Sequence, residues 1–217
     1  MKRNAVVVAT VTKRRPGSVA DVTNSIGALG TTADHGYSAD GLLRSALLTP
    51  SALGVGTAEN YSVMSNVLKM DTIQSPQEVW LNYAYVAGTE ARFQAQVRFL
   101  KCNEDAEEVF VKIALLSFID NGEYDVEIWR KSQTVIARIC NWHNGQRTYI
   151  CVSDPFKLPD GEWAALNVQW TSSKLEVSID GTVAATYTGS VSGPRYPAIA
   201  AKNCIAELQN PEVIIKE

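Results

Sequence analysis

Four side chains suited to chemistry on sugars alternate along one short segment in the middle of the chain. They are Glu123, Asp125, Glu127 and Trp129, with apolar residues between them. If this segment is a β-strand, the four project from one face and the apolar side chains project from the other. A pair of carboxyl groups on one surface can supply the nucleophile and the acid/base of a retaining glycoside hydrolase. The neighbouring indole is suited to stacking on a sugar ring.

The spacing of these carboxylates also fits a purely structural interpretation. Glu123 and Glu127 are separated by four residues of strand, which span about 13 Å. Retaining hydrolysis requires carboxyl groups only about 5–5.5 Å apart, so the sheet would have to curve sharply. A charged row on one side of a strand is also typical of a solvated sheet face. At this point the sequence leaves both interpretations open, and we predict no catalytic residue.

Other candidate ligands for a metal or cofactor form no recognisable set. Asp34, Asp40 and the Asp120-Asn121 turn are candidates for calcium, but their spacing does not match a known calcium loop. Such residues are more often found in turns. His35 and His143 are isolated in the sequence, so no zinc site is predicted either. We therefore expect neither a metal nor a cofactor, with calcium as the open alternative.

The four cysteines lack the spacing of a metal site or of a redox motif. They are Cys102, Cys140, Cys151 and Cys204, and no two of them form a C-x-x-C pair. Cys140 and Cys151 flank the turn at 143–146, where a disulfide across two strands is conceivable. Free, buried thiols are the favoured interpretation, because a reducing compartment keeps such cysteines unpaired.

The elements that would position the carboxylates are short strands that begin near residue 79. Alternation is clearest in 92–100, and further strands are predicted at 79–86, 109–119, 124–130, 134–142, 147–152, 204–208 and 212–216. Turn residues at regular intervals between short strands are typical of an antiparallel sandwich. The sequence before residue 79 is rich in Gly, Ala, Ser and Thr and predicts long loops with a few strands. One short helix is conceivable at 42–48.

The segment from Gly161 to Tyr187 carries the strongest fold signal. Two alternating strands are separated by Thr171-Ser172-Ser173, and Asp180-Gly181 then precedes a third strand. A two-residue turn at Asp180-Gly181 would place Val183 and Tyr187 on the solvent side. A three-residue loop would place Val183, Ala185 and Tyr187 on the core side instead, which buries more apolar surface. We therefore expect the three-residue loop.

Trp163, Trp170 and Ile179-Asp180-Gly181 resemble the "W…W…(I/V)DG" hairpin of the concanavalin A-like lectin and glucanase sandwiches. This group includes laminin-G-like domains, legume-type lectins and glucanases of the lichenase and laminarinase type. The resemblance covers roughly residues 79–217. It implies an all-β, antiparallel two-sheet jelly roll, preceded here by a loop-rich N-terminal arm over residues 1–78. The arm is expected to pack on the sandwich or on neighbouring subunits.

The same family resemblance gives the carboxylates specific roles. Residues 123–127 resemble the E-x-D-x-E strand of the glucanases. The resemblance implies that Glu123 is the nucleophile, Glu127 the acid/base, and Asp125 the charge that separates their pKa values. The family usually has an aliphatic residue at the position of Tyr124. For a lectin-like module, the resemblance instead directs attention to surface aromatic residues, and Trp129 and Trp142 are the candidates for binding carbohydrate.

Net charge excludes some classes of partner. The formal charge is −3 at neutral pH, which argues against general nucleic-acid binding because that requires a basic surface. The apolar run near the start is too short to span a membrane, so we expect no membrane insertion. It also lacks a convincing cleavage site, and we expect synthesis in the cytoplasm.

These observations favour a structural or binding protein over an enzyme. The leading hypothesis is a virion structural protein of a bacteriophage or virus, which decorates or cements a capsid or forms part of a tail or head fibre. It would lie on the virion surface and assemble as a homo-oligomer or with other virion proteins. One alternative is a lectin-like module that binds a cell-surface glycan. The other is an endo-β-glucanase that uses Glu123 and Glu127.

Overall fold

The computed structural model describes most of the backbone from residue 9 onward and the side chains of a smaller part. The described backbone comprises residues 9–15, 18–24, 36–37, 42–46, 50–55, 58–75, 78–83, 90–117, 123–143, 146–191 and 195–216. Side chains are described in residues 59–75, 78–80, 90–115, 123–142, 146–191 and 198–214. The calcium candidates Asp34, Asp40 and Asp120-Asn121 lie outside the described residues, as do the side chains of both histidines.

Within these ranges the chain forms nineteen strands and one short 3-10 helix at Ala58–Asn60. In chain order the strands are β1 (Ala9–Arg15), β2 (Ser18–Asn24), β3 (Gly36–Tyr37), β4 (Leu42–Ala46), β5 (Pro50–Val55), β6 (Tyr61–Met64), β7 (Val67–Asp71), β8 (Val79–Tyr83), β9 (Ala91–Cys102), β10 (Phe110–Ser117), β11 (Glu123–Lys131), β12 (Thr134–His143), β13 (Gln146–Val152), β14 (Phe156–Lys157), β15 (Ala164–Thr171), β16 (Lys174–Ile179), β17 (Thr182–Thr188), β18 (Arg195–Lys202) and β19 (Cys204–Lys216).

Strands β3 to β19 build two sheets in which every pairing is antiparallel. The first sheet has the order β13-β12-β11-β10-β18-β8-β5, with β14 beside β12. The second has the order β17-β16-β15-β9-β19-β4-β3, with β7 beside β19 and β6 beside β7. Strands β1 and β2 form a separate pair. The antiparallel two-sheet sandwich predicted from the sequence is confirmed.

Strands from both sides of residue 78 pair with each other. Strand β4 pairs with the end of β19, and β5 pairs with β8. Residues 42–46, where the sequence left a short helix conceivable, therefore form strand β4 instead. Short apolar runs do not distinguish helix from strand, and here the pairing with β19 decides. The division of the chain at residue 78 stays a prediction.

Alternating apolar side chains fill the space between the two sheets. In β9 the inward residues are Ala91, Phe93, Ala95, Val97 and Phe99, and all of them are buried. Strands β10, β11, β12, β15 and β16 add inward side chains in the same way. Each fully buried large apolar side chain stabilises the fold by about 1.5–3 kcal/mol relative to exposure. The core therefore fixes which face of each strand points outward.

The hairpin of β16 and β17 has a two-residue turn, so the expected three-residue loop is wrong. Asp180 and Gly181 both have positive φ angles, 50° and 76°, and Ile179 pairs directly with Thr182. An irregularity then shifts the register, so that Val177 pairs with Ala185. As a result Ala185 is buried while Val183 is 54% exposed. A bulge in β17, rather than a longer loop, therefore places Ala185 on the core side of the sheet.

Two aromatic rings link this hairpin to strand β11. Tyr187 packs against Tyr124, with ring centroids 5.8 Å apart. The Tyr124 hydroxyl donates a hydrogen bond of 2.7 Å to the carbonyl oxygen of Ser190. Tyr124 thus has a polar partner at the rim of the core.

All four cysteines are free thiols. Cys140 pairs with Tyr149 across β12 and β13, whereas Cys151 pairs with Ile139, so the two thiols point to opposite faces of the sheet. A disulfide between Cys140 and Cys151 is therefore excluded by the register. Burial raises the pKa of Cys140 to about 12 and that of Cys102 to about 11.

In the described part of the chain, no helix is long and apolar enough to cross a membrane. The same residues contain no group of three or more His, Cys, Asp or Glu side chains arranged to hold a metal ion.

Candidate functional site

The carboxylate row, Glu123, Asp125 and Glu127, lies on the outer face of the first sheet, as the alternation predicted. Strand β11 pairs with β10 and β12 in an unbroken register, so these side chains share a face with Trp129. The intervening side chains belong to the core. The carboxylates are not solvated, however: Glu123 is only 3% exposed, and Asp125 and Glu127 are fully buried. The interpretation as a solvated sheet face is wrong, because long side chains of neighbouring strands pack over the row.

Asp125 is held by a cation and by an indole. The Lys112 ammonium lies 3.1 Å from Asp125 Oδ2, and Trp142 Nε1 donates a hydrogen bond of 2.6 Å to the same oxygen. Lys112 also pairs with Glu78 at 3.1 Å. Trp80 Nε1 donates a hydrogen bond of 2.6 Å to Glu78 Oε1. A charge-assisted chain therefore runs from β8 to β12 across the outer face.

Lys112 reaches across strand β18 to make these contacts. Ala200 lies directly between Lys112 and Trp80 in the sheet register. Because alanine has a small side chain, the lysine stem can lie over β18 and place its ammonium 4.3 Å from the centre of the Trp80 ring. Strand β18 was not predicted from the sequence, since alanine and proline are poor indicators of a strand.

Glu127 is bound by two arginines. Arg138 Nε donates a hydrogen bond of 3.1 Å to Glu127 Oε2, its Nη2 forms an ion pair with the same oxygen at 2.8 Å, and Arg147 pairs with Oε1. Burial raises the pKa of Glu127, and the positive charge of Arg147 partly offsets that increase. Although burial by itself would lower the pKa of Arg147, the carboxylate of Glu127 raises it above the ordinary arginine value. Arg147 also pairs with Glu108 at 3.1 Å.

The two arginines are interleaved with three aromatic rings. We call Trp129, Arg138, Tyr149, Arg147 and Trp142 the arginine–aromatic row. The Arg138 guanidinium lies 5.0 Å from the Trp129 ring centre and 4.9 Å from that of Tyr149. Arg147 lies 4.7 Å from Tyr149 and 5.7 Å from Trp142. These separations are within the range of cation–π attraction, which fixes the orientation of the rings. Tyr149 is 47% exposed, so the row reaches solvent.

Sequence reasoning therefore found part of this site. The structure brings Trp129 and Trp142, the predicted carbohydrate-binding residues, onto the same face as the carboxylate row. Sequence reasoning missed Lys112, Arg138, Arg147 and Tyr149. The available signal was the alternation of Arg138, Cys140 and Trp142 along β12, which places an arginine and an indole on one face. Their proximity to the carboxylates depends on the register between strands.

Comparisons with known proteins agree with the fold. No protein-family model matches the chain, and a search of curated proteins finds no match. Among solved structures, the carbohydrate-binding module CBM66 from Bacillus subtilis has 14% identity and a TM-score of 0.52, covering 73% of this chain and 91% of its own.

Two enzymes with the same architecture are also similar. The Bacillus licheniformis β-glucanase has 12% identity and a TM-score of 0.54, covering 85% of this chain and 96% of its own. LamAcat from Zobellia galactanivorans has 15% identity and a TM-score of 0.55, covering 75% and 82%. At these identities the likeness shows the fold alone: a jelly-roll sandwich of the concanavalin A-like type.

Proposed function

We propose that this protein binds carbohydrate on the outer face of the first sheet without cleaving it. The arginine–aromatic row carries the proposal. Its rings are amphipathic surfaces for the apolar faces of sugars, and the guanidinium groups supply hydrogen-bond donors for hydroxyl groups. Because ion pairs to Glu127 hold both arginines, the rings are oriented before a ligand arrives. Such preorganisation lowers the entropic cost of binding.

The structural neighbours favour glycan binding over a virion role as the molecular activity. They comprise a carbohydrate-binding module and glucanases, and no virion protein is among those compared above. The virion role rests on the expected synthesis in the cytoplasm, the composition of the first 78 residues and the lectin-like sandwich. It stays a proposal about context, in which a glycan-binding face would attach a particle to a cell surface. Self-assembly of this protein and its assembly with virion proteins also stay predictions. Mass spectrometry of purified virions would test them.

We expect weaker glycan binding when a ring of the row is removed. Tyr149→Ala and Trp142→Ala are each expected to lower affinity about 30-fold, as removal of a central aromatic contact typically costs about 2 kcal/mol. Affinity electrophoresis in gels that contain laminarin, barley β-glucan, levan or κ-carrageenan measures this effect. Tyr149 is the safer variant, since Trp142 also donates to Asp125.

The matched control is Trp163→Ala. Trp163 is a half-buried indole that also stacks on an arginine, with Arg98 4.2 Å from its ring centre, but it lies just before β15, and Arg98 belongs to β9 of the second sheet. This variant should migrate like the wild type in every gel. Equal retardation of Tyr149→Ala and wild type, or no retardation of wild type in any gel, would contradict the proposal.

An endo-β-glucanase is the second candidate, and one observation favours it. Burial raises the pKa of Glu127, which is the direction that a general acid needs. Against it, both oxygens of Glu127 are bound by arginines, and the residue is fully buried. A sugar could reach neither Glu127 nor Asp125 in this arrangement. Burial and ion pairing therefore support binding without hydrolysis.

We accordingly expect no release of reducing sugar from laminarin or mixed-linkage β-glucan. The assay compares wild type with Glu123→Gln over long incubations at high protein concentration. A signal in wild type that disappears in Glu123→Gln would establish the glucanase instead. A signal that is equal in both would exclude Glu123 as the nucleophile.

A further inference from the structure

A groove on the opposite side of the sandwich is lined by carboxamides. It has a volume of about 410 Å³, within the range of small-ligand sites, and lies on the outer face of the second sheet. Its lining includes Gln96, Ala165, Asn167, Ser178, Gln209 and Asn210, which we call the amide groove. None of these residues belongs to the arginine–aromatic row.

The sheet register explains why a hollow forms here. Gln96 lies between Ala165 on one neighbouring strand and Gln209 on the other. Asn167 is opposite Ser178. The small side chains of Ala165 and Ser178 therefore alternate with longer amide side chains. This alternation leaves a depression in the surface over the small residues. Two carboxylates near the groove already have partners: Gln94 donates a hydrogen bond of 2.7 Å to Glu212, and the Ala165 N–H donates one of 2.7 Å to Asp180 Oδ1.

Strand β19 is irregular at this point. Gln209 pairs with Gln96 and Glu212 pairs with Gln94, so Asn210 and Pro211 together oppose Ala95 and β19 has one extra residue. Asn210 adopts a positive φ of 48°, and its N–H bonds to the carbonyl oxygen of Asn66 at 2.9 Å. Bulges of this kind redirect side chains and are frequent beside binding sites. Here the bulge brings Gln209 and Asn210 to the rim of the groove.

One amide in the groove has an unused acceptor. Asn167 Oδ1 is buried and has no hydrogen-bond partner among the residues that the structure describes. An unpaired buried acceptor destabilises the unliganded protein, and a ligand hydroxyl would supply the missing donor. The carboxamide can present this oxygen to the groove by rotation about χ2, which is a soft torsion.

We propose that the amide groove is a second binding site and that its ligand is a neutral glycan. Carboxamides offer donors and acceptors side by side, which matches the hydroxyl groups of an uncharged sugar. The groove-lining residues named above carry no charge, so an anionic ligand would gain no counter-charge there. The site is independent of the arginine–aromatic row, because the two lie on opposite outer faces of the sandwich.

Side-chain NMR signals distinguish the two sites in one experiment. The uniformly ¹⁵N-labelled full chain is titrated with hexasaccharides of laminarin, cellulose, starch and mannan, and with κ-carrageenan oligosaccharides. We expect at least one neutral probe to shift the NH₂ signals of Gln96, Asn167 and Gln209, and carrageenan to leave them unchanged. The indole N–H signals of Trp129 and Trp142 report the other face independently.

Two variants of one strand complete the test. Asn167→Ala should lower the affinity for the neutral probe about tenfold, as measured from the shifts of the groove signals. Gln169→Ala is the matched control, since Gln169 projects from the same face of β15 but does not line the groove. Shifts confined to the indole signals, or equal affinity of Asn167→Ala and Gln169→Ala, would overturn the second site without affecting the first. Shifts of the amide signals alone would support the groove and refute the function proposed for the first sheet.

Discussion

Replacing Lys112 by methionine is expected to lower the free energy of unfolding by about 3–5 kcal/mol, the usual cost of breaking a buried ion pair. Methionine keeps the length and the apolar stem of the side chain, so its packing against Trp80 and Phe110 is largely retained. The ammonium between Asp125 and Glu78 is lost. Asp125 is fully buried, so its charge would lie in a medium of low dielectric, with the indole of Trp142 as the remaining hydrogen-bond donor among the described contacts of its carboxylate.

The same substitution on the other sheet is the control. Lys174 pairs with Glu176, but its side chain is 45% exposed, compared with 3% for Lys112. Lys174→Met should therefore change stability by about 1 kcal/mol or less. Urea denaturation followed by circular dichroism compares the two. Equal losses in both variants would show that the buried ammonium is not needed to compensate Asp125.

A double variant separates charge from packing. Adding Asp125→Asn to Lys112→Met removes the charge that the first substitution leaves unpaired. Part of the lost stability should return, since neutral groups are much less costly to bury than an uncompensated carboxylate. A double variant less stable than Lys112→Met alone would mean that Asp125 is stabilised mainly by Trp142.

The alternation along β11 could be predicted, but the burial of its charges could not. Period two is a local property, so 123–129 alone shows that three carboxylates share a face. Their partners lie on strands β10, β12 and β13, and nothing in the local sequence says that Arg138 meets Glu127 or that Lys112 meets Asp125. Those contacts follow from the pairing register. The site was thus predicted as a row of residues, without the ion pairs that define its chemistry.

The hairpin shows a different limit of sequence reasoning. Asp180-Gly181 correctly predicted the turn. The expectation that Ala185 and Tyr187 face the core was also correct, whereas the same expectation for Val183 was wrong. The bulge that reconciles a two-residue turn with this face leaves no mark in the sequence. Likewise, β18 has the composition of a loop, and it is a strand because β10 and β8 pair with both of its edges. Tertiary pairing overrides propensity at both places.

The two tryptophans of the hairpin signature are expected to differ sharply in their contribution to stability. Trp170 is fully buried and is the largest such side chain described. In β15 it lies opposite Leu175 on one side and Ala91 on the other, within the core. Trp170→Ala should cost about 3–5 kcal/mol, because it removes a large buried surface and leaves a cavity that a sandwich core cannot fully close.

Trp163→Ala is the matched comparison, because Trp163 is the first tryptophan of the same signature and is also replaced by alanine. Trp163 is only half-buried, and the Arg98 guanidinium over its ring also pairs with Glu207 at 2.6 Å, a contact that does not involve the indole. Trp163→Ala should therefore cost about 1 kcal/mol or less. Denaturant midpoints of the two variants measure the difference. Similar midpoints would mean that the hairpin is anchored by its strand pairing rather than by Trp170. A large difference would instead identify Trp170 as the residue of the signature that the fold requires, leaving Trp163 free to vary with the surface it lies on.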